Sequence, residues 1–248
     1  MKIFTDAELL RRGERTLLAS WEAYAQGATG AAVRHLPGVT AAVFPQRPER
    51  AVYNNALLDR DRPGAERDAA ITAMEAAFGD AGVVEFAAWV HESDDATRRG
   101  LERRGYRLDS ATRAMGMSMD ALAGDAPALD LMHVEWSEYV RLFNLPHGLL
   151  ADADHAVFHL RCARYDSAPA TTAMAFDHDG DCGIFNVMTL PRARRRGLGT
   201  AITRLQLLDA AARGCTTATL QSTPVAEGVY TAIGFRDLGR YQEFVPRR

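Results

Sequence analysis

Arg192, Arg194, Arg195 and Arg196 crowd against Gly197 and Gly199 in one short stretch of this chain. Those residue types suit the holding of a phosphate or pyrophosphate. Small residues let an anion approach backbone N–H groups, guanidinium groups supply countercharge, and a helix start adds the positive end of its dipole. The surrounding residues 186–199, Asn-Val-Met-Thr-Leu-Pro-Arg-Ala-Arg-Arg-Arg-Gly-Leu-Gly, have the layout such a cradle needs. An apolar run reads as a strand ending at Pro191, a basic turn follows, and Thr200 opens an amphipathic helical pattern. A glycine after a strand is also ordinary turn punctuation, so the local pattern leaves a solvated basic turn open as well. It carries neither Gly-x-x-x-x-Gly-Lys-Ser/Thr nor Gly-x-Gly-x-x-Gly, and no strand-borne kinase lysine lies nearby, which excludes three familiar nucleotide sites.

The chain has 248 residues, enough for one large domain or two smaller ones with separate cores. With 47% hydrophobic and 25% charged residues its composition is that of an ordinary globular protein. No apolar run approaches the roughly 18 residues of a membrane span, and the N-terminus soon turns polar, so the expectation is a cytoplasmic protein that engages no membrane. A formal net charge of -3 argues against general nucleic-acid binding. Cys162, Cys182 and Cys215 are odd in number and lack metal-ligand spacing, so buried thiols are expected, with no disulfide framework and no metal site.

The elements that must position the basic stretch can be read in order. Asp6 is the expected cap of a helix that carries Leu9, Leu10, Leu17, Leu18, Trp21 and Tyr24 and ends before Gly27. Short strands are expected over 31–33, 39–44 and 51–57, then a helix over 66–78, a strand over 83–90, a turn at 91–93, a helix over 95–104 and a last strand over 115–119. That order predicts an α/β domain on one mixed sheet. Where the second half has its glycine loop, this half has Asp59-Arg60-Asp61-Arg62-Pro63-Gly64, mixed in charge. His91 at a strand end reads as a turn or surface residue.

Residues 121–127, Ala-Leu-Ala-Gly-Asp-Ala-Pro, have the composition of a linker, which predicts domains over 1–121 and 128–248 joined by 122–127. The pattern then restarts. Strands are expected over 129–134, 156–163, 170–176 and 183–189, the last two joined by a hairpin at 178–181, with a short helix over 137–143. After the glycine loop come a helix over 200–213 stopped by Gly214, a strand over 217–221, a helix over 225–233 and a terminal strand over 241–245.

Arg194-x-x-Gly197-x-Gly199, preceded by Val187-x-Thr189-x-Pro191 and followed by Thr223-x-x-Ala226-x-x-x-Tyr230-x-x-x-Gly234-Phe235, resembles the acetyl-CoA-binding signature of the GNAT superfamily of N-acetyltransferases. The resemblance spans nearly the whole second half. Two departures stand out: Thr189 replaces a usual valine, and Thr223 replaces a frequent asparagine. The first half is fainter. Its Gly105-Tyr106 repeats the aromatic after glycine, but Leu101 stands where the tyrosine would be, Arg104 where an apolar residue would be, and the glycine loop is missing. The resemblance implies two tandem GNAT-like domains, each a mostly antiparallel sheet flanked by helices, the first a degenerate copy.

That resemblance also implies an activity: transfer of an acetyl group from acetyl-CoA to a primary amine of a small-molecule acceptor, by direct attack in a ternary complex, in a monomer or homodimer. The pyrophosphate would lie on the amides of Arg195, Arg196, Gly197, Leu198, Gly199 and Thr200. Arg192 and Arg194 to Arg196 would offset its charge. Backbone groups of Val187, Met188 and Thr189, on a strand that splays from its neighbour, would bind the pantetheine arm and acyl carbonyl, with Thr223 further along the arm. Tyr230 is the expected general acid toward the sulfur. For the base, Asp181 at the start of the strand is the candidate, beside His159, Glu135 or water, since Asn186 cannot accept a proton usefully. Cys182 as a nucleophile lacks an assignable histidine. A non-catalytic acyl-CoA-binding module, or an acyltransferase using a different acyl-CoA, are the alternatives.

Overall fold

The structure is a computed structural model that describes residues 4–26, 28–46, 53–122, 124–144 and 154–247. The fold is mixed α/β. Its helices are α1 (Asp6–Ala25), α2 (Gly64–Gly79), α3 (Asp95–Arg103), α4 (Trp136–Leu142), α5 (Leu198–Ala212) and α6 (Glu227–Ile233). Its strands are β1 (Ala32–Leu36), β2 (Val39–Val43), β3 (Asn55–Leu58), β4 (Ala87–His91), β5 (Tyr106–Ser118), β6 (Asp130–Met132), β7 (Phe158–Tyr165), β8 (Ala168–His178), β9 (Asp181–Thr189), β10 (Thr217–Ser222) and β11 (Arg236–Pro246). Every element expected from the sequence has a counterpart, most with ends shifted by a few residues, but β5 begins at Tyr106, nine residues before the strand expected over 115–119, and β11 begins at Arg236, five before the one expected over 241–245. The first residues of the strand expected from 51, and residue 123 of the expected linker, lie outside the described residues.

The expected cap of α1 is corrected. The cap of α1 is Thr5, with Asp6 as the first helical residue: the Glu8 N–H donates to Thr5 Oγ1 (3.2 Å) while the Thr5 N–H donates to Glu8 Oε2 (2.8 Å). This is the reciprocal Thr-x-x-Glu arrangement, which satisfies two orphan donors of the first turn.

The chain forms two compact units that are not consecutive in sequence. The first holds Met1–Ser20 and Arg113–Leu238, the second Trp21–Thr112 and Gly239–Arg248.

In the first unit the strand order is β5-β10-β9-β8-β7-β6, with β9 and β10 parallel and the other neighbours antiparallel. Side chains alternate across a strand, so each sheet face has its own partner. One face carries Met115, Met117, Cys182, Ile184, Ala218 and Leu220, packed with Leu207 and Ala210 of α5 and Tyr230 and Ile233 of α6. Gly116, Thr217, Thr219 and Gly183 alternate with these and meet α1. A Cβ on Gly116 would stand 3.2 Å from Leu9 Cβ, and one on Gly13 of α1 would stand 3.0 Å from Thr219 Cβ, so helix and sheet approach closely through glycine.

In the second unit the order is β1-β2-β3-β4-β11, with β3 and β4 parallel. Ile71, Met74 and Phe78 of α2 close its core with Val39, Val43, Leu58, Val90, Leu101 and Phe244. Phe78 stacks on Phe86 at 4.2 Å between ring centroids. On the other side, Trp21 meets Trp89 edge-on at 6.1 Å, and the Trp89 indole N–H donates to Asn55 Oδ1 at 3.2 Å.

Candidate functional site

β9 is nine residues long, yet it pairs with β10 only at Asp181, Cys182 and Gly183, which face Thr217, Ala218 and Thr219. From Ile184 onward β9 has a ladder on its β8 side alone. Asn186, at φ 48°, interrupts that ladder with a bulge: Thr172 pairs with Met188, but Met174 pairs with Phe185. Past the bulge the alternation is regular. The Leu190 N–H donates to Ala170 O at 2.8 Å, and Met188 O accepts from Thr171 Oγ1 at 2.8 Å, so Met188 and Leu190 face β8. Backbone groups point to opposite sides at successive residues, which turns those of Val187 and Thr189 to the open side. The Met188 side chain packs toward Tyr139 and Phe143 of the α4 segment.

The strand ends in a short 3₁₀ turn, Pro191–Ala193, and α5 begins at Leu198. Gly197 caps α5 at φ 75°, in the left-handed region, with no side chain capping the helix. Its Cβ position is open, and a Cβ on Gly199 would meet only Thr189 Oγ1 at 3.5 Å. The first turn of α5 carries no acidic residue, so its exposed N–H groups and dipole are uncompensated.

The four arginines divide. Arg192 donates to the carbonyls of Tyr165 and Pro169, bracing the β7–β8 turn. Arg194 Nε donates to Thr189 O at 3.0 Å, which occupies one of the open-side carbonyls. The Arg196 guanidinium lies 4.6 Å from the Tyr165 ring centroid. Arg195 is exposed, sits at φ 63°, and has no hydrogen-bond or ion-pair partner among the described residues.

Tyr230 lies on α6, in van der Waals contact with the core and only 7% exposed, its ring edge-on to Phe235 at 5.8 Å. Burial pushes its hydroxyl pKa up to about 12, so it is a protonated donor at neutral pH. Arg113 of β5 anchors the start of that helix, its Nε 2.7 Å from Glu227 Oε2. Thr223 is exposed in the turn after β10.

Asp181 stands at the paired end of β9 and is 1% exposed. Its Oδ1 accepts from Thr217 Oγ1 (2.6 Å), and its Oδ2 from Thr16 Oγ1 (2.7 Å) and Thr219 Oγ1 (2.7 Å). It precedes Val187 by six residues, about 20 Å along an extended strand. His159 lies 3.6 Å from Asp177, which Arg213 grips at 2.6 and 3.0 Å, and its pKa is lowered by burial and then by Arg213. Glu135 is exposed beside His133 at 3.0 Å. His91, expected as a turn or surface residue, is instead buried as the last residue of β4, its Nδ1 2.8 Å from Ser93 Oγ. All three cysteines are free and buried, and burial holds the Cys182 thiol well above its usual range, which keeps it from serving as a thiolate nucleophile. Among the described residues no cluster of three His, Cys, Asp or Glu could hold a metal, and no helix is long and apolar enough to cross a membrane.

A parallel strand pair that opens beyond its first residues is followed by an arginine loop and a glycine-capped helix in a mixed α/β fold. Residues 128–235 match the family model described as Acetyltransferase (GNAT) family. No curated protein matches the chain. Among solved structures, a GCN5-related N-acetyltransferase from Kribbella flavida superposes with a TM-score of 0.72 at 16% identity, over 95% of each chain. A tandem GNAT protein from the clavulanic acid biosynthesis pathway gives 0.60 at 15% identity over 94% of each chain. A GCN5-related N-acetyltransferase from Sphaerobacter thermophilus gives 0.59 at 14% identity, over 93% of this chain and 84% of the other. At such identities these likenesses establish the fold.

Proposed function

We propose that the protein is an N-acetyltransferase that moves an acetyl group from acetyl-CoA to a primary amine of a small acceptor by direct attack in a ternary complex. The observation that carries this reading is the unpaired edge of β9 leading straight into the Arg194–Thr200 loop. The open-side backbone groups of Val187 and the Thr189 N–H can hydrogen-bond an amide-bearing arm, the Thr189 carbonyl being taken by Arg194, and the amides around Gly197 to Thr200 can take the pyrophosphate at its end. Met188 contributes a side-chain wall, and Arg195 is the arginine placed to meet phosphate directly. Arg192, Arg194 and Arg196 shape the loop by their carbonyl and ring contacts. Thr223, exposed beyond β10, would lie along the arm.

In the reaction the amine nitrogen forms a bond to the acetyl carbon as the carbon–sulfur bond breaks. Tyr230 is assigned to the leaving sulfur. At about 12 its pKa exceeds the roughly 8.5 of a thiol, so complete transfer to the thiolate runs uphill and the hydroxyl acts first as a hydrogen-bond donor to developing charge. Asp181 receives no part in proton transfer. Its oxygens are taken by three hydroxyls and it lies too far up the strand, so we assign the amine's proton to water. Domains over 1–121 and 128–248 describe the order of the two copies along the chain, the first a degenerate copy that has lost its own cradle.

Thiol release from acetyl-CoA, measured with a panel of small amines, tests the assignment. Acceptor-dependent release supports it. CoA binding without acceptor-dependent release makes the protein a non-catalytic acyl-CoA-binding module, and release only from longer or charged acyl-CoA moves the donor.

A further inference from the structure

Burying a carboxylate is costly unless its oxygens are satisfied, and apolar side chains would fill the same space more cheaply. At Asp181 the satisfying donors come from two elements besides its own strand. Thr217 and Thr219 lie on β10, Thr217 directly across the ladder and Thr219 two residues further. Thr16 lies on α1. The same helix adds Arg12, whose Nε donates to Thr217 Oγ1 at 2.8 Å and whose Nη2 donates to Asp179 O at 2.9 Å. Close approach reinforces the cross-links, since a Cβ on Gly183 would fall 2.9 Å from Thr16 Cγ2 and 2.7 Å from the Phe185 ring. These bonds coincide with the only three paired positions of β9 and β10, 181–183 with 217–219. Directly beyond them the strands part.

We propose that Asp181 is a positioning residue for the cofactor edge: its carboxylate, clasped by Thr16, Thr217 and Thr219, pins the point at which β9 leaves β10 and so sets the opening that the pantetheine arm enters. This rests on the cofactor reading above. The carboxylate fixes direction as well as distance, because three hydroxyls converge on two oxygens in one arrangement. Helix α1 becomes part of the site through this clasp although it contributes no group to the open edge.

The test is titration of CoA into the wild-type protein and into Asp181→Asn, Thr219→Val and Thr16→Val, with thermal melts and kcat/KM against pH for each. An amide at 181 turns one acceptor into a donor, and valine at 219 removes one hydroxyl at nearly constant volume. Each should weaken CoA about tenfold in a protein that still melts cooperatively, equivalent to about 1.4 kcal/mol. Thr16→Val should weaken it less, because both β9–β10 bonds remain, and the pH profile should keep its wild-type shape throughout. Unchanged CoA affinity in the folded variants overturns the proposal. So does a lost limb of the pH profile at wild-type affinity, which would make Asp181 the base. Should Asp181→Asn fail to fold, Thr219→Val decides by the same criterion. A wild-type protein that binds no CoA sinks the cofactor reading itself, an outcome distinct from wild-type binding that the variants leave intact.

Discussion

Each unit contains a strand, a loop, a helix and a second strand parallel to the first, and the two versions differ where a ligand would bind. In the second unit β3 has four residues, and its pairing with β4 takes in Asn55, Ala56 and Leu57, so the strand ends almost where its ladder ends. In the first, β9 continues six residues beyond its last partner on β10. The loops differ in the same sense. Arg62 is spent on Asp59 at 2.6 Å and Glu66 at 3.2 Å, with Glu66 in the first turn of α2, so acidic groups already answer that helix dipole. The loop before α5 has arginines and no acid. Further on, Leu101 fills the place in α3 that Tyr230 fills in α6, and Arg104 pairs with Glu75 at 2.7 Å where Ile233 packs in the core. One arrangement therefore serves to complete a core and the other to leave backbone and charge open. Length of strand past the ladder is what separates them.

The largest effect should come from the closed unit and touch stability alone. Leu101 is fully buried, and Leu101→Ala should cost about 2–5 kcal/mol in denaturant melts. CoA affinity of the folded variant should stay at the wild-type value, with one CoA bound per chain in calorimetry; a second site would break the comparison. Next is Gly197→Val, which adds roughly 1–2 kcal/mol of left-handed backbone strain and a side chain where phosphate would approach. We expect CoA affinity to fall on the order of 100-fold, or about 2.8 kcal/mol.

Tyr230→Phe follows. Losing a hydrogen bond to a charged sulfur should lower kcat about 10- to 100-fold, from about 1.5–3 kcal/mol, with CoA affinity unchanged. The pH sign is fixed by the raised pKa: the hydroxyl keeps its proton as pH rises, so kcat should show no alkaline fall from this group until it ionises near about 12. An alkaline fall near neutrality that disappears in Tyr230→Phe would contradict the assignment.

Periodicity and turn residues made the order of elements legible, because each depends on neighbours in sequence: Pro191, Gly197 and Gly214 mark ends that the structure keeps. The loop and Tyr230 were legible for the same reason. The Thr5-x-x-Glu8 pattern was also present in the sequence, yet Asp6 competes for the same role and only the hydrogen bonds decide between them. Long-range pairing was not legible. Nothing near Asp181 announces Thr16 and Thr217, and the bulge at Asn186 is a property of two strands. The exchange of chain ends between the units likewise depends on contacts between residues more than 200 positions apart, such as Arg12 with Thr217.

The smallest effect sharpens the comparison most. Arg195 holds a left-handed conformation that favours glycine, yet its exposed guanidinium has no hydrogen-bond or ion-pair partner among the described residues. Backbone strain of this kind persists where function requires the side chain. Arg195→Gly should therefore separate two quantities that usually fall together. Relief of strain, about 1–2 kcal/mol, outweighs the extra chain entropy of glycine, about 0.5–1 kcal/mol, so stability should stay level or rise by up to about 1 kcal/mol. CoA affinity should fall a few-fold, and the gap from wild type should narrow as salt screens an exposed charge. A variant that gains stability and binds CoA as tightly at every salt concentration would leave the basic loop with no electrostatic part in binding, and its contrast with the Asp59–Pro63 loop would reduce to the length of β9.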